Sequence, residues 1–256
     1  MASQWHELIV DGSPMPTWIG VPEGQGPFPA VIVAQHAGGV DSFIRDFVDR
    51  LTAQGYVAAA PALFHRDPNS DQAVIDAMPR DEKRREYIFA MLNGTKDAGV
   101  LNDVQAVLDN LERLAGAGIG PVGVTGFCMG GRVTFLVAGS IPQITAAAPF
   151  YPAGVLRVTE GSMHSAFDLI SNINGPVDGF FGDEDDNPSQ EQVAQIAAEL
   201  TKHGKEYEFT SYPDAGHLFM DFQTPAAYRE EVAKDAWEKV LAFFGKTLKD
   251  KLVTSK

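Results

Sequence analysis

The chain has 256 residues, of which 45% are hydrophobic and 21% charged. This composition is that of a globular protein and excludes a disordered or fibrous one. Its net charge of −14 at pH 7 argues against nucleic acid or an anionic membrane as partner, because both would repel it. No apolar run approaches the roughly 18 residues of a membrane span, and no secretory signal is recognisable. A single cysteine, Cys128, excludes an internal disulfide and predicts a reducing, cytoplasmic setting.

Short apolar runs alternate with amphipathic segments, which predicts an α/β protein with a largely parallel, buried sheet. The predicted strands lie at 7–10, 18–21, 30–34, 56–60, 122–127, 144–150, 177–181 and 206–212. The predicted helices lie at 43–54, 81–92, 96–115, 131–139, 189–203 and 225–248. No repeat or long linker divides the chain, so residues 1–256 are predicted to form one domain. Residues 152–175 show no periodicity, and loops of this length are usually functional or poorly ordered.

Two motifs resemble a cofactor site and a metal site, but neither has the flanking elements or the spacing that such a site needs. Residues 118–123 match G-x-G-x-x-G, but they follow a helix and open a strand, whereas a dinucleotide site needs the reverse order. The acidic residues 183–186 are consecutive and do not alternate as in a calcium-binding loop. We therefore expect neither a cofactor nor a metal.

The chemistry is predicted to centre on Cys128, in the sequence Gly126-Phe127-Cys128-Met129-Gly130-Gly131. This sequence lies where an apolar strand turns into a helix, as in the nucleophile elbow G-x-S-x-G, with cysteine in place of serine. The nucleophile of such an elbow has a strained backbone, and only very small residues fit two positions before and after it. The alternative, a small buried hydrophobe, is what most lone cysteines are. The flanking glycines favour the nucleophile.

A thiol nucleophile needs a base, and the base needs an orienting carboxylate. Asp185 belongs to an acidic loop that follows the predicted strand at 177–181, and Asp183 and Asp186 are rival candidates in that loop. His217 is the one histidine in a turn that follows a strand downstream of this loop. The order nucleophile, acid, histidine is that of the hydrolases with a nucleophile elbow. Cys128, Asp185 and His217 are the predicted triad.

These residues also carry a family resemblance. The chain resembles the dienelactone hydrolase family of α/β-hydrolases, in which the elbow is G-[FY]-C-x-G-G, the acid loop G-x-x-D and the histidine loop Y-x-x-A-G-H-x-F. Here these motifs stand at 126–131, 182–185 and 212–219, and 55–64 is similar to the family's G-Y-x-x-x-x-P-x-L-[YF]. The resemblance implies an α/β-hydrolase fold with a mostly parallel sheet of about eight strands. It also implies a cofactor-free hydrolase of small esters or lactones, either a monomer or a homodimer.

The implied mechanism is attack by Cys128 on the carbonyl, followed by hydrolysis of the acyl-enzyme by water that His217 activates. The oxyanion hole would use the backbone N–H of Met129, by the logic of the fold. The resemblance points to Ala37, in the loop after the strand at 30–34, for the second N–H.

The sequence departs from the family pattern at two places in the predicted pocket and keeps the pattern at a third. The family has Q-E-I-F-G in the loop after the strand at 30–34, whereas this chain has His36 in place of the glutamate. His36 either poises the thiol or shapes the oxyanion hole, or else merely bonds the loop backbone. Arg85 matches one of two arginines that grip the dienelactone carboxylate, although a solvated helix face also explains it. Asp221 stands where the second arginine would be, so a neutral substrate is expected to be preferred.

Two other functions remain open from the sequence. The same triad could perform acyl transfer or thioester cleavage, since only the acyl acceptor or the leaving group would differ. In a third interpretation the fold is not catalytic, and Cys128 is a redox switch or part of a binding pocket. An intact acid and base would then be superfluous, which disfavours it.

Overall fold

In the computed structural model, which describes residues 3–254, eight strands form a single sheet. The strands are β1 (Gln4–Val10), β2 (Ser13–Gly20), β3 (Phe28–Ala34), β4 (Val57–Pro61), β5 (Ile119–Phe127), β6 (Ile144–Phe150), β7 (Val177–Gly182) and β8 (Tyr207–Tyr212). Their order is β1-β2-β4-β3-β5-β6-β7-β8. Among the described strands, the pairs β1–β2 and β2–β4 are antiparallel and the other five pairs are parallel. The sheet is therefore mostly parallel, as predicted.

Helices cover both faces of this sheet. They are α1 (Ser42–Ala53), α2 (Gln72–Ala77), α3 (Glu82–Gly94), α4 (Asp97–Ala115), α5 (Met129–Ser140), α6 (Gln190–Lys202), α7 (Glu230–Phe244) and α8 (Asp250–Thr254). None of the helices within residues 3–254 combines the length and apolarity that crossing a membrane would take.

The core consists of two apolar layers, one on each face of the sheet. In β3, Val31 and Val33 belong to the layer under α1 and α7, while Ala30 and Ile32 belong to the layer under α4, α5 and α6. Alternate residues of a strand point to opposite faces, so a strand that is buried on both faces is apolar throughout. This explains why the central strands were predictable from continuous apolar runs.

Several elements differ from the predictions. Strand β2 begins at Ser13 instead of 18, and the terminal helix α8 was not predicted. The closing helix begins at Glu230 instead of 225, because residues 224–228 form turns through bonds from the Ala227 and Tyr228 N–H groups to the Thr224 carbonyl. It also does not continue unbroken to 248, since a π-helical turn occupies Gly245–Lys249. The short helix α2 was not predicted. In the unplaced stretch 152–175, Phe167–Asn172 forms a 3₁₀ helix.

The topology places the functional loops at one edge of the sheet. β3, β5, β7 and β8 are parallel, so the loops that follow them leave from the same edge, where ligands of open α/β sheets bind. These four loops carry His36, Cys128, Asp185 and His217 respectively.

Candidate active site

Cys128 occupies the turn between β5 and α5, and its backbone has φ 57° and ψ −118°. The left-handed region is strained for a residue with a side chain, and such strain concentrates at functional sites. Its N–H donates to the Phe150 carbonyl at 3.2 Å, and its carbonyl accepts from Gly131 and Ala153. The turn is therefore fixed by β6 and by the loop that follows it, and Cys128 as a residue is partly exposed.

The glycines of the elbow are required by close backbone contacts. A Cβ on Gly126 would lie 2.3 Å from the Gly130 carbonyl oxygen, and a Cβ on Gly130 would lie 2.2 Å from the Ala34 carbonyl oxygen. Real Cβ atoms do not approach other atoms this closely, and backbone cannot move aside as a flexible side chain can. The glycine spacing is thus a steric consequence of packing the elbow against β3.

His217 lies between Cys128 and Asp185. Its Nδ1–H donates to Asp185 Oδ2 at 2.8 Å, and it lines the same cavity as Cys128. Asp185 is buried, and its second oxygen accepts from the Asn187 N–H at 2.8 Å. A histidine held by a carboxylate on one nitrogen presents the other to the thiol, which is the arrangement of a nucleophile, a base and an orienting acid.

The rival carboxylates of the acid loop are exposed to solvent, unlike Asp185, although Asp186 also lines the cavity. Asp183 is exposed, and Ser211 donates to its carboxylate. Asp186 is also exposed. The backbone of the loop is bound to the histidine loop, with Asp183 N–H donating to the Tyr212 carbonyl and Glu184 N–H to the Ala215 carbonyl, each at 2.9 Å. These bonds bring the side chain of Asp185 to His217.

The electrostatics favour a charged thiolate–imidazolium pair. Burial opposes the charge on the Cys128 thiol, but the hydrogen bond and charge of His217, the charge of His36 and the Met129 N–H together lower its pKa below the ordinary value. Burial would lower the pKa of His217, yet its hydrogen bonds to Asp185 and Cys128 raise it to about 10. A thiolate in this environment is the nucleophilic form of cysteine.

The predicted oxyanion residues share the cavity of the nucleophile. Ala37, Met129 and Cys128 all line it, and Met129 begins helix α5 directly after Cys128. The neighbouring His36 is buried and donates from Nε2 to Asp41 Oδ2 at 2.8 Å. Its ring lies against Gly38, where a Cβ would come within 2.7 Å of the imidazole. His36 therefore fills the turn that carries Ala37.

The cavity has a volume of about 950 Å³, which is within the range of small-molecule sites. Arg85 lines it, as expected for a pocket residue, but its side chain is 67% exposed, 3.9 Å from Glu82 and over the ring of Phe89. The neighbouring Arg84 is buried and donates to the Met78 carbonyl at 3.3 Å. Both arginines thus line the cavity and also contact neighbouring groups of the protein.

Asp221 also lines the cavity and is 1% exposed. Its carboxylate accepts from the Gln223 N–H and from the Thr224 hydroxyl, and Arg80 Nη1 lies 3.9 Å from it. An arginine at this position would lose these hydrogen bonds to the carboxylate. The sequence departure at 221 is thus built into the loop that carries His217.

Three further residues at the site were not predicted. Asp41 could have been found as the polar residue that precedes α1, since it caps that helix. Gln223 donates to Asp41 Oδ2 at 2.6 Å across 182 residues, which no local pattern signals. Tyr151, at φ 34° after β6, is buried with its ring centroid 5.1 Å from that of His217.

Comparisons with known proteins agree with this architecture. The model of the dienelactone hydrolase family matches residues 15–248. A Salmonella typhimurium protein named "Putative carboxymethylenebutenolidase" is 35% identical over 91% of this chain and 83% of its own length. A Synechocystis protein of the same name is 33% identical over 91% of this chain and 92% of its own length.

A solved structure gives the same result in three dimensions. The "Putative Dienelactone Hydrolase" from Klebsiella pneumoniae superposes with a TM-score of 0.82 and 31% identity, over 96% of this chain and 99% of its own. The eight-stranded sheet is thus that of an α/β-hydrolase fold, as predicted. The chain is a hydrolase that belongs to the dienelactone hydrolase family.

Proposed function

We propose that the protein hydrolyses small esters or lactones through a Cys128–His217–Asp185 triad and an acyl-enzyme. The observation that carries this proposal is the placement of Cys128, at a strained elbow, in the same cavity as His217, whose ring is bonded to Asp185 at 2.8 Å. The names of the relatives, which refer to a lactone hydrolase, support the same substrate class.

Acylation begins with attack of the Cys128 thiolate on the substrate carbonyl carbon. The oxyanion that forms accepts hydrogen bonds from the N–H groups of Ala37 and Met129. When the intermediate collapses, the C–O bond to the leaving group breaks and the His217 imidazolium donates its proton to the departing oxygen. A thioester on Cys128 and a neutral His217 remain.

Deacylation restores the starting charges. Neutral His217 takes a proton from water, whose oxygen adds to the thioester carbonyl carbon. Collapse of this second intermediate breaks the C–S bond, and the electron pair returns to sulfur. The carboxylic acid leaves, and the thiolate–imidazolium pair is restored. Asp185 keeps its hydrogen bond to His217 Nδ1 throughout, so it holds the ring and stabilises its positive charge.

The test is hydrolysis of a panel of nitrophenyl esters of increasing chain length, together with dienelactone and plain lactones. A short reaction quenched in acid should contain an acyl group on the peptide that carries Cys128, detected by mass spectrometry. Catalytic turnover with the label on another residue, or no turnover of any ester or lactone, would contradict the proposal. Product analysis with an added alcohol acceptor separates hydrolysis from acyl transfer.

The acid is assigned by replacing each carboxylate of its loop in turn. Asp185→Asn is expected to lower kcat by about 10⁴-fold, the order found when the acid of a triad is neutralised. Asp183→Asn is the matched control, on an exposed residue outside the cavity, and should stay within about twofold. Asp186→Asn, on an exposed residue that lines the cavity, should also fall far short of the loss in Asp185→Asn. The measurement is kcat for a nitrophenyl ester. If Asp183→Asn produced the large loss instead, the acid would be misassigned.

Selectivity is expected to follow the buried charge of Asp221. This carboxylate repels an anionic substrate, so neutral esters or lactones should exceed dienelactone in kcat/KM by at least about tenfold, or about 1.4 kcal/mol. Asp221→Asn keeps the side-chain size and should narrow that ratio, and Asp183→Asn serves as the control outside the cavity. Dienelactone as the best substrate of the wild-type panel would show that another cation holds its carboxylate.

A further inference from the structure

Cys128 faces a second histidine–carboxylate pair besides His217 and Asp185. His36 and Cys128 line the same cavity, and the charge of each shifts the pKa of the other. His36 is 7% exposed and Asp41 is 1% exposed, and their side chains are joined at 2.8 Å. We propose that His36, held by Asp41, is a permanent second cation that stabilises the Cys128 thiolate without exchanging its proton.

The first step of the argument is the state of Asp41. Its Oδ1 accepts from the N–H groups of Phe43 and Ile44 at the start of α1, and its Oδ2 accepts from His36 and from Gln223. Burial alone would raise the pKa of Asp41, but these donors and the charge of His36 lower it below its ordinary value. A carboxylate that accepts four hydrogen bonds, two from a helix N-terminus, stays ionised at neutral pH.

The second step is the charge of His36. Burial disfavours the imidazolium, but Asp41, Asp221 on the loop after β8 and the Cys128 thiolate all raise the pKa of His36 above its ordinary value. Arg80, 3.9 Å from Asp221, offsets part of that carboxylate's effect. The Nε2–H of His36 is committed to Asp41, so this proton is not the one that passes to the leaving group.

The two histidines therefore have different tasks. His217 carries the mobile proton, whereas His36 contributes a fixed positive charge to the sulfur. A fixed charge acts at both chemical steps in which sulfur bears the electron pair: before attack and when the C–S bond breaks in deacylation. His36 therefore acts through Cys128 and does not itself react with the substrate. Its ring also has a structural role, because it packs against Gly38 in the turn that carries Ala37.

The test measures ionisation of Cys128 without substrate, by the ultraviolet absorbance of the thiolate and by the rate of alkylation with iodoacetamide as pH is varied. In His36→Gln, the midpoint of both titrations should rise by about one pH unit or more, as removal of a nearby opposite charge predicts. This corresponds to about tenfold less thiolate at a pH below both midpoints. Glutamine can still bond Asp41, so a purely structural role would leave the midpoint unchanged.

The chain offers a matched control in His65. This histidine is buried and paired through Nε2 with Asp103 Oδ1 at 3.0 Å, but it lies outside the cavity lining. His65→Gln should leave the Cys128 midpoint where it is in the wild type. A folded His36→Gln protein with the same midpoint as His65→Gln would overturn the proposal.

A second variant covers the case in which His36→Gln does not fold. Asp41→Asn keeps a good helix cap but removes the charge that holds the proton on His36, so the Cys128 midpoint should also rise. An unchanged midpoint in folded Asp41→Asn would overturn the proposal as well. This inference rests on the proposed function only in that the thiolate is taken to be the nucleophile. If the wild type hydrolysed no ester or lactone, the proposed function would be contradicted, but the titrations of Cys128 would still test the role of His36.

Discussion

Cys128→Ala is expected to lower kcat/KM for ester hydrolysis by at least about 10⁴-fold. The thiolate supplies the bond-forming electron pair, and no neighbouring group can replace it; removal of a triad nucleophile has an effect of this order in hydrolases. What remains is catalysis by the oxyanion hole and by substrate binding. The measurement is kcat/KM for a nitrophenyl ester, with wild-type enzyme treated with iodoacetamide as a chemical counterpart.

The control for this variant is the stability of the fold. The positive φ of residue 128 is as strained for alanine as for cysteine, and alanine removes only the sulfur atom from the edge of the apolar layer against which Cys128 packs. The melting temperature should therefore stay near that of the wild type. Retained hydrolysis by a folded Cys128→Ala protein would refute the assignment of the nucleophile.

His217→Gln is expected to have a comparable effect, about 10⁴-fold in kcat, because the variant loses the proton donor of acylation and the base of deacylation together. The amide also bears no charge, so the thiolate absorbance of Cys128 at neutral pH should fall. His203→Gln is the control, since His203 is an exposed histidine that contacts Glu199 at the end of α6. Wild-type kcat in His217→Gln would remove His217 from the mechanism.

The pH profile of the wild type gives the same residue a second test. His217 must be protonated to donate to the leaving group, so activity should decline as pH rises through its raised pKa, about 10. At the acid end activity should decline as the Cys128 thiolate is protonated, below the ordinary thiol pKa because that pKa is lowered. The alkaline decline should be missing from the residual activity of His217→Gln.

Sequence alone predicts the parts of this site that depend on local backbone. The elbow glycines follow from the packing of one turn, and the loop of Asp185 follows from the end of β7, which is buried along its whole length. Continuous apolar runs predicted the central strands, since burial on both faces of a parallel sheet imposes such runs. The edge strand β8, which precedes His217, is partly exposed and carries polar residues, so its prediction did not depend on such a run.

The parts that depend on contacts between distant loops were not predictable. The bond from Gln223 to Asp41 joins two loops that are far apart in sequence, and it determines where the carboxylate that holds His36 lies. The burial of Asp221 has the same origin. The closing helix was predicted to start too early because turn bonds within residues 224–228 compete with helical ones.

The crowding at the elbow restricts which genetic changes the chain can accept. Every single-base change in a glycine codon that alters the residue adds at least a Cβ, and at Gly126 and Gly130 that atom would collide with fixed backbone oxygens. Position 128 is different, since one base converts a cysteine codon to a serine codon and the two side chains are similar in size. A single base change can thus replace the cysteine at position 128 by serine, whereas the flanking glycines cannot change without a collision.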